Sequence, residues 1–321
     1  MPRDTEHGNG GAVAPERGRA GARPRKPAAA RGRRAPVVLA LLVLGCTTRV
    51  AERAVCDSPR RTGTLSADVA ESSGLAASRR YPGVFWTHND SGGDAELFAI
   101  DSAGRVLGRV RVTGARNRDW EDLAIGPCGA GDCLYIADTG DNRADRGEVA
   151  IFRIPEPSPD DTASAPAERF PFRYPGANLD TEAIYVLSDG AVYLISKGRD
   201  EPVTVFRYPG PLRAGETVEL RRVARLGAAP VGLPYQVTGA AAAPDGRWVA
   251  VRTYTAVQLY RVGWRGRLRP RLEGAGVDID ALAEPQGEAV AIAGDGSIVL
   301  TSEAGPGDVP GTISRIECRL D

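Results

Sequence analysis

The sequence predicts an all-β protein built from one unit that recurs five times, and three observations lead to this class. Short apolar runs bounded by Gly, Pro, Asn and Asp follow one another along residues 56–321, which is the pattern of strands joined by tight turns. A polar residue leads a small-apolar run at steps of about 50 to 61 residues. Helix-period stretches are almost absent. Four strands per unit at this spacing are typical of a β-propeller blade, so we expect a propeller of five blades, each with four antiparallel strands.

Residues 1–45 precede the repeats and are expected to be a leader. Residues 1–34 are rich in Arg, Ala, Gly and Pro without an apolar period, which favours disorder. The apolar run 35–44 is too short to span a bilayer and fits the apolar core of a signal peptide. It ends in Val-Leu-Gly-Cys46, which resembles a bacterial lipobox, whose cysteine is lipidated and becomes the first mature residue. An ordinary signal peptide with an incidental Cys46 is the alternative.

The chain after the leader is expected to hold a short tether, residues 46–55, and a single propeller domain, residues 56–321. Residues 1–45 contain 9 of the 41 basic residues but only 3 of the 41 acidic ones, which leaves a net charge near −6. Because nucleic-acid binding needs a basic surface, we expect no nucleic-acid partner. We expect a monomer, anchored in the cell envelope by the lipid on Cys46 and facing the periplasm or the exterior.

Four cysteines remain once Cys46 is set aside, and an even number in an exported protein indicates disulfides. Cys128 and Cys133 are close enough in sequence to close a hairpin turn. Cys56 and Cys318 stand at opposite ends of the repeats and would join the first strand to the last. No C-x-x-C pair occurs and only one histidine follows the leader, so the spacing excludes a zinc knuckle.

The repeat is clearest in residues 119–142, where an acidic cluster leads into a strand, a Gly-rich turn and a second strand ending in Asp-Thr-Gly-Asp-Asn. The residues that lead the first strand of each unit are Glu71, Glu121, Glu182, Thr238 and Glu288. Second strands are expected at 84–87, 134–137, 192–196, 248–252 and 298–302. Third strands are expected at 97–101, 149–154, 203–208, 257–262 and 312–317. Weaker fourth strands are expected at 106–112, 169–174, 218–226 and 268–272.

The last unit has only three strands, and its missing outer strand is expected from residues 62–69 near the other end of the repeats. Such a strand would close the ring and cover an exposed sheet edge. The pair Cys56 and Cys318 would lie at the same seam, so two independent observations meet there. Six blades is the alternative if the long second or third unit hides a further blade. A two-sheet sandwich would leave the repeated leading glutamate unexplained.

The first strand of each propeller blade lines the central channel, so the leading residues would form a ring of four carboxylates and one hydroxyl. Carboxylates that converge on a narrow channel repel one another, so either several are protonated or a cation lies among them. Oxygen ligands without His or free Cys favour a hard ion such as Ca²⁺. Its predicted ligands are Glu71, Glu121, Glu182 and Glu288. In the alternative, which can coexist, these side chains accept backbone N–H bonds and link the blades.

A second group of polar residues stands at the ends of the second strands, which reach the same face. Turn formation is the simpler role for its Asn and Asp members. Lys197 is the only lysine after residue 26, and with Arg252 it would neutralise the carboxylates or hold an anionic ligand. The predicted ligand-binding residues are Asn89, Asp90, Asp138, Asp141, Asn142, Lys197 and Arg252.

Four segments carry a resemblance to known proteins. They are Glu-Ser-Ser-Gly-Leu-Ala-Ala-Ser from residue 71, Trp-Thr-His-Asn-Asp-Ser-Gly from 86, Asp-Trp-Glu-Asp-Leu-Ala from 119 and Ile-Ala-Asp-Thr-Gly-Asp-Asn from 136. In these segments the sequence resembles a family of exported bacterial β-propeller proteins without a settled activity. More distantly it is similar to propellers of the gluconolactonase and phytase-like types. That resemblance implies Ca²⁺ on channel-facing acidic residues, with Glu71 most like the first ligand of the lactonases, and hydrolysis of lactones or phosphate esters.

Two functions follow as expectations. The preferred one is a lipid-anchored binding or scaffolding module that presents an acidic channel face, stabilised by Ca²⁺, to a small-molecule or protein ligand. The alternative is a calcium-dependent hydrolase of the phosphoesterase or lactonase type. In that case the metal polarises a phosphoryl or lactone oxygen, and Asp90, Asp138 or Asp141 acts as the base.

Overall fold

The structure, a computed structural model, describes residues 54–270 and 276–321. The predicted leader and the predicted lipidation site Cys46 lie outside the described residues, as does most of the predicted tether. The described helices are four short 3₁₀ turns, at Ala67–Val69, Leu233–Tyr235, Trp264–Gly266 and Asp280–Leu282. Within residues 54–270 and 276–321, no helix has both the length and the apolar character needed to cross a bilayer.

The strands form five sheets, one for each blade, and a two-stranded ribbon. The chain begins with β1 (Ala54–Cys56) and β2 (Arg60–Thr64). The first blade contains β3 (Ser72–Ala77), β4 (Phe85–Asn89), β5 (Glu96–Ile100) and β6 (Val106–Arg111). The second contains β7 (Trp120–Cys128), β8 (Gly131–Asp138), β9 (Val149–Pro155) and β10 (Glu168–Arg173). The third contains β11 (Thr181–Val186), β12 (Val192–Ser196), β13 (Thr204–Arg207) and, after β14 (Val218–Glu219), β15 (Arg221–Arg225).

The fourth and fifth blades complete the ring. The fourth contains β16 (Val237–Ala242), β17 (Trp248–Thr253), β18 (Ala256–Val262) and β19 (Leu268–Pro270), and β20 (Gly276–Asp278) also pairs with β18. The fifth contains β21 (Gln286–Ile292), β22 (Ile298–Glu303) and β23 (Thr312–Ile316), and β2 is its outer strand. The ribbon is closed by β24 (Cys318–Leu320), which pairs with β1. The predicted five-bladed, all-β propeller is therefore confirmed, with its closing strand taken from the start of the repeats.

Two predicted outer strands differ in their bounds from the observed ones. The closing strand covers 60–64 and not 62–69, because Ser66 accepts an N–H bond from Asp68 and begins a 3₁₀ turn there. The predicted strand 218–226 is split. Its first two residues pair in parallel with β10 of the second blade, and the rest completes the third blade as β15. Leu220 stands between the two pieces and is buried, which ties the chain to both blades.

The hydrophobic core is divided into five clusters, each lying between two neighbouring blades. Alternate residues of one strand serve different clusters. In β8, Leu134 and Ile136 pack toward the first blade, whereas Tyr135 and Ala137 pack toward the third. Side chains alternate between the two faces of a strand, and both faces of a blade are covered by neighbouring blades. Strands such as β8 therefore appear in the sequence as continuous apolar runs without a polar face. This explains why the repeats were visible in the sequence.

Both predicted disulfides form. The seam disulfide joins Cys56 to Cys318, which lie directly opposite each other on β1 and β24. The hairpin disulfide joins Cys128 to Cys133 across the turn between β7 and β8. Because structural disulfides persist in oxidising compartments, the pair indicates a periplasmic or extracellular location.

Candidate functional site

Every inner strand carries a β-bulge near its start. The pairing with the second strand of the blade shifts by one residue at the same place in all five sheets. A bulge leaves one residue out of the ladder and re-aims its side chain, so these residues occupy equivalent positions around the axis. The bulge residues are Ser73, Glu121, Glu182, Thr238 and Glu288.

The first blade departs from the sequence-based alignment. Its bulge residue is Ser73, and Glu71, which was expected in the ring, lies two residues earlier and is exposed. The backbone N–H of Glu71 donates to the Asn89 side chain at 3.0 Å. The register shift lies between Ser72 and Gly74, so Ser73 is the residue left out of the ladder and Glu71 stands before the bulge. The equivalence of Glu71 with Glu121 is corrected accordingly.

The two hydroxyl members of the bulge set link the blades. The Ser73 hydroxyl donates to the backbone oxygen of Glu121 at 2.7 Å, and the Thr238 hydroxyl donates to that of Glu288 at 2.8 Å. The glutamates were expected to link the blades by accepting N–H bonds. Among the described residues, Glu182 instead contacts Lys197 and Glu288 accepts a bond from Gln286. The carboxylates of the three bulge glutamates thus accept no backbone N–H bond between blades in the described part of the chain.

Two further sets of polar residues flank the bulges. The residues two positions before each bulge are Glu71, Asp119, Asp180, Gln236 and Gln286. The other set lies at the end of the second strand of each blade. The residue directly before each bulge (the pre-bulge residue) pairs with a residue of the second strand, and the set consists of the residues that follow these partners. They are Asp90, Thr139, Lys197, Tyr254 and Glu303. Backbone bonds join the sets in three blades, from the N–H groups of Asp90, Thr139 and Lys197 to the oxygens of Glu71, Asp119 and Asp180. Together with the bulge residues, these two sets form what we call the mouth of the propeller.

Five carboxylates of the mouth converge into an acidic cluster: Asp90, Asp119, Glu121, Asp180 and Glu182. They form two three-carboxylate groups, Asp90–Asp119–Glu121 and Glu121–Asp180–Glu182, and within each group one oxygen per residue lies within 4.8 Å of the others. Glu121 belongs to both groups. Its side chain makes no hydrogen bond with any described residue although the residue is only 6% exposed. Three oxygen ligands at this separation can hold a hard divalent cation.

Cationic side chains approach the cluster from one side. The Lys197 ammonium lies 2.7 Å from a Glu182 oxygen and 3.8 Å from an Asp180 oxygen. Arg199 lies 3.3 Å from the same Asp180 carboxylate. Burial on its own would lower the pKa of Lys197. The negative charges of Glu182 and Asp180 have a larger effect in the opposite direction, so the pKa of Lys197 is raised. Lys197 therefore stays protonated and offsets part of the negative charge of the group Glu121–Asp180–Glu182.

Burial raises the pKa of the mouth carboxyls, and their mutual repulsion adds to it. The pKa of Asp90 rises to about 7, through burial first and then through Asp119 and Glu71. The pKa of Glu182 rises to about 8, and those of Glu288 and Glu303 rise to about 7, in each case chiefly through burial. Carboxyls in this state hold protons near neutral pH unless a cation replaces them.

The predicted bases differ in how free they are. Asp138 forms an ion pair with Arg146 at 2.9 Å. Both oxygens of Asp141 accept N–H bonds, from Asp145 and Arg146, and so hold the loop after β8. Asp90 differs, because its buried Oδ1 has no hydrogen-bond partner among the described residues. Of the three, only Asp90 has a carboxyl that is free to meet a ligand.

The other predicted ligand-binding residues act as links in the fold. Asn89 accepts the Glu71 N–H and donates to the Asp68 carbonyl oxygen at 2.9 Å. Asn142 accepts a bond from Arg199 at 3.0 Å. The Arg252 side chain is fully buried. It donates to the backbone oxygens of Ala289 and Thr301 at 2.7 and 2.9 Å and pairs with Glu284. Arg252 thus joins the fourth blade to the fifth and presents no surface to a ligand.

His88 is buried beside the cluster but is not a candidate base. Its Nδ1–H donates to the Asn89 carbonyl oxygen at 3.0 Å, and its ring meets Trp120 edge-on at 5.5 Å between centroids. Burial lowers the pKa of His88 to about 4. The imidazole is therefore neutral and enclosed by the protein at neutral pH.

Below the mouth the channel closes. The residues after the bulges are Gly74, Asp122, Ala183, Gly239 and Ala289, so four of the five are small. A Cβ atom on Gly74 would collide with His88 and with the backbone of Leu123. Asp122 fills this level, and its carboxylate accepts the N–H groups of Ile184 at 2.8 Å and Ala240 at 3.1 Å. Beneath it lies an apolar cavity of only about 20 Å³, so a ligand at the mouth cannot pass down the axis.

Several mouth residues were not predicted as site residues from the sequence. Asp119 and Asp180 both stand two positions before a leading glutamate, so a D-x-E pattern was visible at 119–121 and 180–182. If the repeats are aligned on the residue after the bulge, which is Gly or Ala in four blades, and not on the glutamate, Glu71 falls at the same position as Asp119 and Asp180. The axial role of Asp122 had no such signal, because the equivalent residues of the other blades are Gly or Ala.

Comparison with known proteins gives structural neighbours only. No family model and no curated protein matches the chain. The PQQ-bound aldose sugar dehydrogenase of Streptomyces coelicolor is 14% identical with a TM-score of 0.43, over 83% of this chain and 99% of that one. A luciferin-regenerating enzyme is 13% identical with a TM-score of 0.43, over 82% and 95%. A candidate 6-phosphogluconolactonase of Bacteroides uniformis is 15% identical with a TM-score of 0.39, over 80% and 74%. Similarity at this level carries no argument about activity.

Proposed function

We propose that the mouth of this propeller binds a divalent cation, Ca²⁺ by ligand chemistry, and that the chain is an exported binding module whose ligand docks on that face. One observation carries the proposal. Glu121 is buried, belongs to both three-carboxylate groups and has no hydrogen-bond partner among the described residues. A buried carboxylate without a donor is unfavourable unless it is protonated or meets a cation. Carboxylate ligands without His or free Cys favour a hard ion.

The test is a calcium titration followed by thermal unfolding. A ligand that binds only the folded state at one hundred times its dissociation constant adds about 2.7 kcal/mol of stability, so the wild type should melt at a higher temperature in Ca²⁺ than in EDTA. The variant Glu121→Gln keeps the shape of the side chain but loses its charge, and should lose the shift. Glu219→Gln, on an exposed residue away from the mouth, is the matched control. An identical melting temperature of the wild type in Ca²⁺ and in EDTA would overturn the proposal.

A calcium-dependent hydrolase is the second candidate, and the free carboxyl of Asp90 favours it. In this candidate Asp90 does not bind the ion but takes a proton from the attacking water, and its buried Oδ1 has no hydrogen-bond partner among the described residues. A panel of phosphoesters and lactones should then include a substrate whose turnover at saturating Ca²⁺ falls about a hundredfold in Asp90→Asn. Absence of turnover across both classes would exclude this candidate and leave the binding module.

The same proposal includes a lipid anchor at Cys46, which would hold the protein at a membrane surface. The sequence carries this part alone, through the run Val-Leu-Gly-Cys46 after residues 35–44. The wild-type protein should partition into a detergent phase, and Cys46→Ser should move it to the aqueous phase. Equal partitioning of the two proteins would refute the anchor without touching the cation site.

A further inference from the structure

We propose that the ammonium of Lys197 permanently occupies the second of the two three-carboxylate groups, so that the mouth takes one divalent cation, in the group Asp90–Asp119–Glu121. This inference rests on the proposed function and assigns its subsite. Without the Lys197 ammonium, the two groups that share Glu121 would be expected to hold two ions side by side.

The first step is how firmly Lys197 is held. Its N–H donates to the Asp180 carbonyl oxygen at 3.1 Å, and its own carbonyl oxygen accepts the Val237 N–H at 3.0 Å. Its ammonium then lies 2.7 Å from Glu182 and 3.8 Å from Asp180, and the side chain is only 13% exposed. The backbone is thus fixed on both sides, and the cationic end reaches two carboxylates of the group Glu121–Asp180–Glu182.

The second step is the asymmetry between the groups. Arg199 also lies 3.3 Å from Asp180, so the group Glu121–Asp180–Glu182 has two cationic side chains within ion-pair distance. In the other group, neither Asp90 nor Asp119 forms an ion pair or a side-chain hydrogen bond with any described residue. Asp90 Oδ1 is buried without a partner. Glu121, at 6% exposure, also lacks one and faces both groups. Within the described ranges this group has no cationic side chain within ion-pair distance, although the charge of Arg146 acts on Asp119, and it is therefore the group left for a metal.

The third step is exclusion. Lys197 and Asp90 occupy equivalent positions, one residue beyond the partner of the pre-bulge residue, in the third and first blades. The same place in the repeat therefore carries a cation in one blade and a metal-binding carboxylate in another. A second divalent ion between Glu121, Asp180 and Glu182 would lie within a few ångströms of the ammonium, and like charges at that distance repel strongly. Lys197 hence sets both the number of ions and their place.

Calcium stoichiometry, measured by isothermal titration calorimetry on the mature protein, tests the inference. The wild type should bind one Ca²⁺ and Lys197→Met, which has a similar length and no charge, should bind two. Lys197→Arg keeps the charge and should bind one. One ion in Lys197→Met, or two in the wild type, would overturn the inference while leaving the proposed function intact. No ion in the wild type would overturn the proposed function and this inference with it.

A second variant keeps the inference falsifiable if Lys197→Met fails to fold. Asp90→Asn removes a ligand from the assigned group only, so it should weaken the wild-type ion at least tenfold. If Lys197→Met does fold, the double variant with Asp90→Asn should keep one ion, now in the group that Lys197 has vacated. Unchanged Ca²⁺ affinity in Asp90→Asn would place the ion elsewhere and refute the assignment.

Discussion

Replacement of Asp122 tests how the blades are held together at the axis. The carboxylate of Asp122 is fully buried and accepts N–H groups from the third blade, at Ile184, and from the fourth, at Ala240. It also accepts the N–H of its neighbour Leu123 at 2.8 Å. Each buried N–H that loses its acceptor costs about 1–3 kcal/mol. Loss of the two inter-blade bonds in Asp122→Ala should therefore lower the free energy of unfolding by about 2–6 kcal/mol.

The lower part of that range is the expected value. Burial raises the pKa of Asp122 well above its usual range, so the wild-type carboxylate carries a desolvation cost that Asp122→Ala removes. Asp122→Asn retains one acceptor oxygen, and because Oδ2 accepts both inter-blade N–H groups this oxygen can keep them, so the variant should cost less than Asp122→Ala.

The measurement is urea unfolding at fixed Ca²⁺, followed by tryptophan fluorescence. The control is Glu219→Ala, whose exposed side chain should leave the unfolding free energy within about 0.5 kcal/mol of the wild type. Asp122→Ala as stable as that control, or Asp122→Asn less stable than Asp122→Ala, would refute the role of Asp122 as an acceptor shared between blades.

Two further predictions concern the seam disulfide and the pH dependence. The double variant Cys56→Ser/Cys318→Ser removes a cross-link over 262 residues and should lower the unfolding free energy by up to about 5 kcal/mol. Removal of the hairpin disulfide should cost only about 2 kcal/mol. Chemical unfolding of both variants measures the two losses, and a larger loss for the hairpin disulfide would contradict the prediction. In EDTA, the unfolding free energy should fall as the pH rises from about 6.5 to 8, because burial raises the pKa of Glu288 to about 7 and the fold stabilises its neutral form. Glu288 alone contributes at most about 3 kcal/mol over its whole titration, and the raised pKa values of Asp90, Glu182 and Glu303 act in the same direction. The depressed pKa of His88 has the opposite effect, but only below about pH 6.5, so a rise in stability between pH 6.5 and 8 would show that the sign is wrong.

The sequence alone gave a large part of the architecture, and the reason is local. The first two strands of each blade are buried on both faces, so each appears as a short apolar run, and the turns between runs are marked by Gly, Pro, Asn and Asp. Counting these runs was sufficient to predict five blades. The seam was also predictable, because the last unit lacked one strand and Cys56 and Cys318 lay at opposite ends of the repeats.

The site was only partly accessible to the same reasoning. Glu121 and Glu182 were identified because they lead inner strands. Glu71 was aligned with them by its charge, and the structure aligns Ser73 instead, because the register shift lies between Ser72 and Gly74. Arg252 was expected at the ligand face, yet its guanidinium is buried against the fifth blade. Neither outcome is encoded in a window of a few residues, since both depend on the neighbouring blade.

The repeated unit, the number of blades and the closure of the ring could thus be predicted from the sequence, together with the inner-strand residues Glu121, Glu182 and Glu288. The tertiary structure was needed to place Asp119 and Asp180 beside Glu121 and Glu182, to bring Lys197 against Glu182, and to let Asp122 reach residues 62 and 118 positions away. The physical reason is that strand burial is a property of adjacent residues. The distances between charges at the axis, in contrast, are set when the ring of blades closes.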